Sequence, residues 1–237
     1  MNIALIGYGK MGKTIERIAI QRGHHITAKY ASQYPFLNEH IAKADVAIEF
    51  TTPDYVVSHI EKALALNLPI VVGTTGWNKH LEEVSAQVKA MGGSLLYASN
   101  FSLGVHVFHK LCAQLADMLK QYDYSFSMDE THHVQKLDTP SGTAISLAET
   151  IISHHDEINN WALNKGDGRA TLPIFAHRVP EVPGTHSVIA RSPVDAITLI
   201  HEASNRDGFA LGSILAAEFL FGKSGLYTMN DVLNFKI

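Results

Sequence analysis

Between Glu130 and Thr143 the chain reads Glu-Thr-His-His-Val-Gln-Lys-Leu-Asp-Thr-Pro-Ser-Gly-Thr. The segment carries two imidazoles (His132 and His133), an ammonium (Lys136) and carboxylates at Glu130 and Asp138, and it ends in the small run Ser141, Gly142, Thr143. Imidazole exchanges a proton near neutrality, which is what general acid–base catalysis asks of a side chain. Lysine can donate a proton in the same way once neighbours or burial lower its pKa. The apolar spacing of Ala144, Leu147, Ala148, Ile151 and Ile152 is that of an amphipathic helix, which puts Ser141 to Ala144 at a helix start. Free backbone N–H groups at such a start favour an anion. The segment therefore offers proton transfer beside an anion pocket. A metal is not expected: on an extended chain His132 and His133 point to opposite faces and cannot easily grip one ion.

These groups need a scaffold. Tyr122, Tyr124, Phe126 and Met128 alternate with polar residues, the period of a half-buried strand that would deliver the reactive segment to a sheet edge. At the other end of the chain, the apolar run Asn2 to Ile6 leads into Gly7-Tyr8-Gly9-Lys10-Met11-Gly12, after which Ile15, Ile18 and Ala19 continue at helical spacing. Strand, glycine turn and helix in this order form a dinucleotide fingerprint. Gly7 permits the turn, Gly9 lets a pyrophosphate approach the backbone, and Gly12 lets the helix pack closely on the strand. A glycine turn without a ligand is the plainer alternative. The acidic residue that would hold the ribose hydroxyls of NAD is missing near the end of the next predicted strand, His25 to Tyr30, where Lys29, Ala31 and Ser32 stand instead. Lys29 leans toward a ribose phosphate, and a solvated lysine is its plain alternative.

Further strands are predicted at Asp45 to Phe50, Pro69 to Val72 and Ser94 to Ala98, alternating with helices that begin at Pro53 and Asn78. The turn Gly73-Thr74-Thr75-Gly76 falls at a strand end, where open α/β sheets bind ligands. This alternation predicts a doubly wound parallel sheet. From Leu103 a long helix leads into the reactive strand, and after a polar surface excursion over His154 to Arg169 come extended stretches at Thr171 to Phe175, His186 to Ala190 and Ala196 to Ala203. Their short connections predict a mixed or antiparallel sheet, hence a second, α+β domain. A helix over Phe209 to Phe221 follows, and the tail is expected to return to the first domain. The predicted domains are residues 1–102, completed by 207–237, and residues 103–206.

With 237 residues, 46% of them hydrophobic, the chain can bury a large core. A net charge of −4 without a basic stripe speaks against nucleic acid. No apolar run approaches a membrane span, and Met1 leads into the first strand without a secretory leader, so a cytoplasmic location is expected. The single cysteine, Cys112, forms neither an internal disulfide nor a cysteine cluster for zinc.

Several motifs occur together and in order: GYGKMG at residues 7–12, GTTGW at 73–77, SNFSLGV at 99–105, ETHHVQKLDTPSGTA at 130–144, VPGTH at 182–186, FALG at 209–212 and SGLYTMNDVL at 224–233. In these the chain resembles the 4-hydroxy-tetrahydrodipicolinate reductase family over its whole length. The resemblance implies a Rossmann-like domain followed by a substrate and oligomerisation domain. It implies reduction of a cyclic imine dicarboxylate by NADPH or NADH, with loss of water, in lysine and diaminopimelate synthesis, and assembly as a homotetramer. Carried over by position, His132 matches the acid/base residue and Lys136 the proton donor, while His133, Gly142 and Thr143 match substrate contacts. Gly7 to Gly12 (Gly7, Tyr8, Gly9, Lys10, Met11, Gly12), Gly73, Thr74, Thr75, Ala98, Ser99, Asn100 and Phe101 match cofactor contacts. The chain departs from the family's usual residues at Lys10, His106 and Gln135. A small dehydrogenase of the aspartate or homoserine type would lack the HHVQKLDTPSGTA run, and a nucleotide-sensing regulator would have lost it.

Overall fold

The computed structural model describes residues 1–31, 41 and 43–233. It contains two compact units, residues 1–103 with 206–237, and residues 104–205. The first is organised on a six-stranded sheet made of β1 (Asn2–Ile6), β2 (His25–Tyr30), β3 (Val46–Glu49), β4 (Ile70–Val72), β5 (Ser94–Tyr97) and, from the end of the chain, β11 (Gly225–Tyr227). Spatial order is β11-β5-β4-β3-β1-β2 and every pairing is parallel. Parallel neighbours demand crossovers. Those described are α1 (Lys10–Gln21), α2 (Pro53–Ala65) and α3 (Leu81–Met91), with α6 (Asp207–Leu220) and the short α7 (Met229–Leu233) added near the C-terminus.

The inner strands of this sheet are buried on both faces because helices cover both. Ala4 and Ile6 turn toward Val56, Ile60 and Leu64 of α2 and Val84 and Val88 of α3. Their neighbours Ile3 and Leu5 turn toward Ile15, Ile18 and Ala19 of α1 and Ala210, Ile214 and Ala217 of α6. Each Val, Leu and Ile among them contributes about 1.5–3 kcal/mol on burial. The chain winds outward from β1 in one direction to β2 and in the other to β3. The order of winding thus reverses between β1 and β3, and at the carboxyl ends of the strands flanking such a point a crevice opens in sheets of this kind. Ser32 lies outside the described residues.

The second unit is a five-stranded mixed sheet with the order β10-β9-β6-β8-β7, formed by β6 (Ser125–His132), β7 (Asn160–Leu163), β8 (Thr171–Arg178), β9 (Thr185–Arg191) and β10 (Ala196–Glu202). β9 runs antiparallel to β6 and β10, whereas β6, β8 and β7 are mutually parallel. On one face lie α4 (Leu103–Leu119) and α5 (Gly142–Ser153), whose Phe108, Cys112, Leu147 and Ile151 pack on Phe126, Met128, Leu172, Ile174 and Val188. Cys112 is fully buried there, and burial pushes its thiol up to about 12. The expected surface excursion contains β7, with Trp161 packed against this core. The reactive strand does not stop at Met128. It runs on to His132, so Glu130 and His132 are strand residues.

Candidate active site

The glycine turn after β1 is built for close approach. Gly7 has φ +97°, and a Cβ there would meet the Phe50 carbonyl oxygen at 2.0 Å, so no other residue fits. Its N–H and that of Tyr8 donate to the Tyr30 carbonyl at 2.9 and 3.0 Å. Gly12 lies over Gly7, where a Cβ would come within 2.4 Å of the Gly7 oxygen, whereas Gly9 faces open space. Gly9 caps α1 without a side-chain hydrogen bond, and the first turn of the helix carries no acidic residue. The result is an unscreened helix N-terminus with room for an anion. Lys10 is exposed beside it.

A cavity of about 240 Å³ in the same unit is lined by Met11, Phe50, Gly73, Ser99, Phe101, Arg206 and Phe209. Four of the predicted cofactor residues, Met11 from the start of α1 and Gly73, Ser99 and Phe101 from two strand-end turns, therefore share one concave surface. Gly73 leaves space for the Phe50 ring, which a Cβ would strike at 2.2 Å. The other predicted positions differ in kind. The Thr74 hydroxyl accepts from the Thr51 N–H at 2.7 Å, and its carbonyl accepts from the Trp77 indole at 2.8 Å, so this buried residue ties the ends of β3 and β4 together. Thr75 is exposed, Ala98 is half-buried, and Asn100 accepts from the Ser102 N–H through its side chain at 2.8 Å. Lys29 is drawn to Glu16, which the Tyr8 hydroxyl also reaches, and lies 4.8 Å over the Tyr8 ring. Its pKa is raised, mainly by the hydrogen bond to Glu16. The glycine turn and the bare helix start fit a dinucleotide pyrophosphate.

In the second unit, strand register gathers the reactive groups. Glu130 and His132 are two apart on β6 and share the face that, at Phe126 and Met128, lies in the core. Glu130 pairs across to His186 of β9, and His132 across to Arg178 of β8. Glu130 is fully buried. Its Oε1 accepts from the Arg178 guanidinium at 3.2 and 3.3 Å and from the Ser141 N–H at 3.1 Å. Its Oε2 stands 2.9 Å from His132 Nδ1, an angled approach that gives neither atom an in-line hydrogen bond. Burial pushes the Glu130 carboxyl up, but contacts from His132 and Ser141 outweigh it and hold the group at about 2. The rings of His132 and His186 meet edge to face at 5.1 Å. His186 Nε2 lies 3.2 Å from the Ser141 hydroxyl, and burial, aided by the charge of His132, takes its pKa down to about 4.

Ser141 caps α5, its hydroxyl accepting from the Ala144 N–H at 3.2 Å, and Gly142 and Thr143 form the first turn. His133 stands at the end of β6 with a buried Nδ1 that has no partner among the described residues. The ammonium of Lys136 is held by Asp138 at 2.8 Å. That contact, opposed by partial burial and helped by the Gly142 N–H, keeps the Asp138 carboxyl below its usual range. Glu130, His132 and His186 offer ligand atoms within 4.8 Å of one another, a set of metal-ligand types that the adjacent pair His132 and His133 does not reveal. The Arg178 guanidinium, however, sits on the same carboxylate. Arg178 and His186 are site members the sequence did not single out. His186 stood in the VPGTH motif without a role, and only the pairing of strands brings Arg178 to the site.

A parallel sheet ending in a glycine turn under a bare helix start, with a proton-carrying strand in a second unit, is the organisation of two-domain dinucleotide-dependent oxidoreductases. Residues 1–101 match the N-terminal region of dihydrodipicolinate reductase, and residues 104–233 match its C-terminal region. A 4-hydroxy-tetrahydrodipicolinate reductase from Christiangramia forsetii is 43% identical over 99% of this chain and 98% of its own, and one from Rickettsia akari is 36% identical over 100% and 98%. Among solved structures, a dipicolinate-bound dihydrodipicolinate reductase from a Paenisporosarcina species superposes with a TM-score of 0.80 at 22% identity, covering 100% of this chain and 99% of its own. The chain belongs to the dihydrodipicolinate reductase family.

Proposed function

We propose that this protein reduces 4-hydroxy-tetrahydrodipicolinate to tetrahydrodipicolinate with loss of water, using NADPH or NADH, in lysine and diaminopimelate synthesis. Membership of the family and the names of the curated relatives support the reaction. The observation that carries the assignment of residues is the ring of His132, backed by a buried carboxylate on the strand that leads to an anion-ready helix start. When bound, the cofactor would be the source of the hydride for the conjugated imine. Gly7 to Gly12, Gly73 to Thr75 and Ala98 to Phe101 would hold it. Adding a hydride to such a substrate leaves an enamine that must take a proton, and His132 and Lys136 would exchange it. The substrate carries two carboxylates. The N–H groups of Gly142 and Thr143, the ring of His133 and the ammonium of Lys136 suit them, a substrate carboxylate taking over from Asp138. The dicarboxylate bound in the Paenisporosarcina relative supports this substrate class.

Loss of reduced-nicotinamide absorbance in a coupled assay, with the upstream synthase supplying the unstable substrate, tests the reaction for both cofactors. Turnover should appear only when substrate is being made. His132→Ala and Lys136→Ala should each lower kcat by about 10²-fold or more, with cofactor affinity nearly unchanged. Retention of wild-type turnover by both variants would refute the roles given to them.

For the second unit we infer self-association into a homotetramer. Ile197 and Ile200 of β10 are 37% and 63% exposed, and they supply apolar surface for such a contact. Light scattering at micromolar concentration distinguishes a tetramer from a monomer. No described helix is long and apolar enough to cross a membrane. A cytoplasmic location is part of the same proposal and is checked by cell fractionation.

A further inference from the structure

The role given to His132 leaves open what selects the ring nitrogen that exchanges protons. Nδ1 faces Glu130 Oε2 at 2.9 Å, and Glu130 is fully buried. An ionised carboxylate can only accept, so the nitrogen that faces it must carry the proton. The exchanging nitrogen is then Nε2, which lies against Gly184, where a Cβ would stand 3.0 Å away. Glu130 itself is fixed on its other oxygen by Arg178 and by the N–H of Ser141, the residue that caps α5. His186 lies 4.0 Å from Oε2 but is occupied by the Ser141 hydroxyl.

We propose that Glu130 is the positioning residue for His132, setting its tautomer and orientation through Nδ1 and tying it to the helix start that receives the substrate's carboxylate. This rests on the acid/base role of His132 and deepens it. The arrangement follows the general logic of a base oriented by a buried carboxylate, in which the carboxylate aligns the ring without itself taking a proton. The Arg178 guanidinium, 3.2 Å from Oε1, adds a counter-charge to the contacts from His132 and Ser141 that keep the carboxylate ionised in a buried place. His186 remains neutral near pH 7, so it does not compete for the carboxylate as a cation. The bent contact between Nδ1 and Oε2 is one that substrate binding can straighten, since catalytic hydrogen bonds often align only in the complex.

The charged and titratable groups around the ring are Glu130 from β6, Arg178 from β8 and His186 from β9. Lys136 and Asp138 follow in the next loop, and His109 from α4 and His201 from β10 act on His186. Their signs give a two-way test in the pH profile of kcat. Removing the anion with Glu130→Gln should move the alkaline limb to lower pH by about one unit and cut kcat by about a hundredfold. Removing the cation with Arg178→Gln should move the same limb to higher pH. A merely structural pair would lower the rate without opposed shifts. Nitrogen NMR of the His132 ring provides the second readout and serves if either variant is inactive. The wild type should show the Nδ1-protonated tautomer, and Glu130→Gln a mixture.

Opposed limb shifts, or an altered tautomer in an inactive variant, support the proposal. Unchanged limbs, shifts of one sign or a tautomer indifferent to Glu130→Gln overturn it. His132→Ala separates this from the underlying reading: full turnover there removes the acid/base role, even where the tautomer still answers to Glu130.

Discussion

Gly184 shows how much a single hydrogen atom can matter in this site. A methyl group at that position would stand 3.0 Å from His132 Nε2 and 3.2 Å from the neighbouring ring carbon, so the ring must yield by a few tenths of an ångström. Gly184→Ala should therefore lower kcat roughly tenfold while leaving cofactor binding intact, as steady-state kinetics and calorimetry can show. Lys29 offers the corresponding test at the cofactor. If it meets a ribose phosphate, it must exchange Glu16 for that phosphate. Lys29→Met should raise KM for NADPH by about tenfold and leave KM for NADH nearly unchanged. The chemistry-bearing segment from Glu130 to Thr143 was legible residue by residue, because imidazoles, a lysine and a helix-start Ser-Gly-Thr are unusual neighbours. His186 and Arg178 were not, because nothing in their own sequence surroundings shows which strand each will face.

At the scale of elements, β6 explains most of what the sequence concealed. The alternation from Tyr122 to Met128 announces a strand, yet the next two inward positions are Glu130 and His132, and polar residues there erase the apolar signal although the strand continues. A buried polar cluster thus hides the element that carries it. Most of the parallel sheet was legible because β1, β3, β4 and β5 are apolar runs ending in a turn, whereas its edge strand β11 and, in the second sheet, β7 have only three and four residues and too little pattern to detect. Helix α6 makes an element-level prediction. Gly212 faces the backbone of Phe101, and a Cβ would come within 1.7 Å of that carbonyl oxygen. Gly212→Ala should destabilise the protein by about 3 kcal/mol, seen as a fall in Tm of roughly 10 °C. Phe101 lines the cavity, so cofactor binding should weaken with it.

For the whole molecule, burial of titratable groups sets how stability depends on pH. His186 and His109 are both brought down to about 4 from an ordinary 6.5, mainly by burial. Between those values the unfolded chain binds more protons than the folded one, so this stability is fully present above about pH 6.5 and is lost as pH falls toward 4. For His186 the loss is on the order of 3 kcal/mol. Glu130, held at about 2 against an ordinary 4.5, extends the decline from about pH 4.5 downward, with the same sign. The urea midpoint should drop from pH 7.5 to pH 5, and His186→Gln should flatten that slope.

The lone thiol of Cys112, sealed between α4 and the second sheet and kept protonated at any ordinary pH, has a practical consequence. A sulfhydryl reagent finds nothing to attack until that layer opens. Its incorporation rate is therefore a natural clock for the breathing of residues 104–205, insensitive to loosening elsewhere in the chain, and needs no engineered probe.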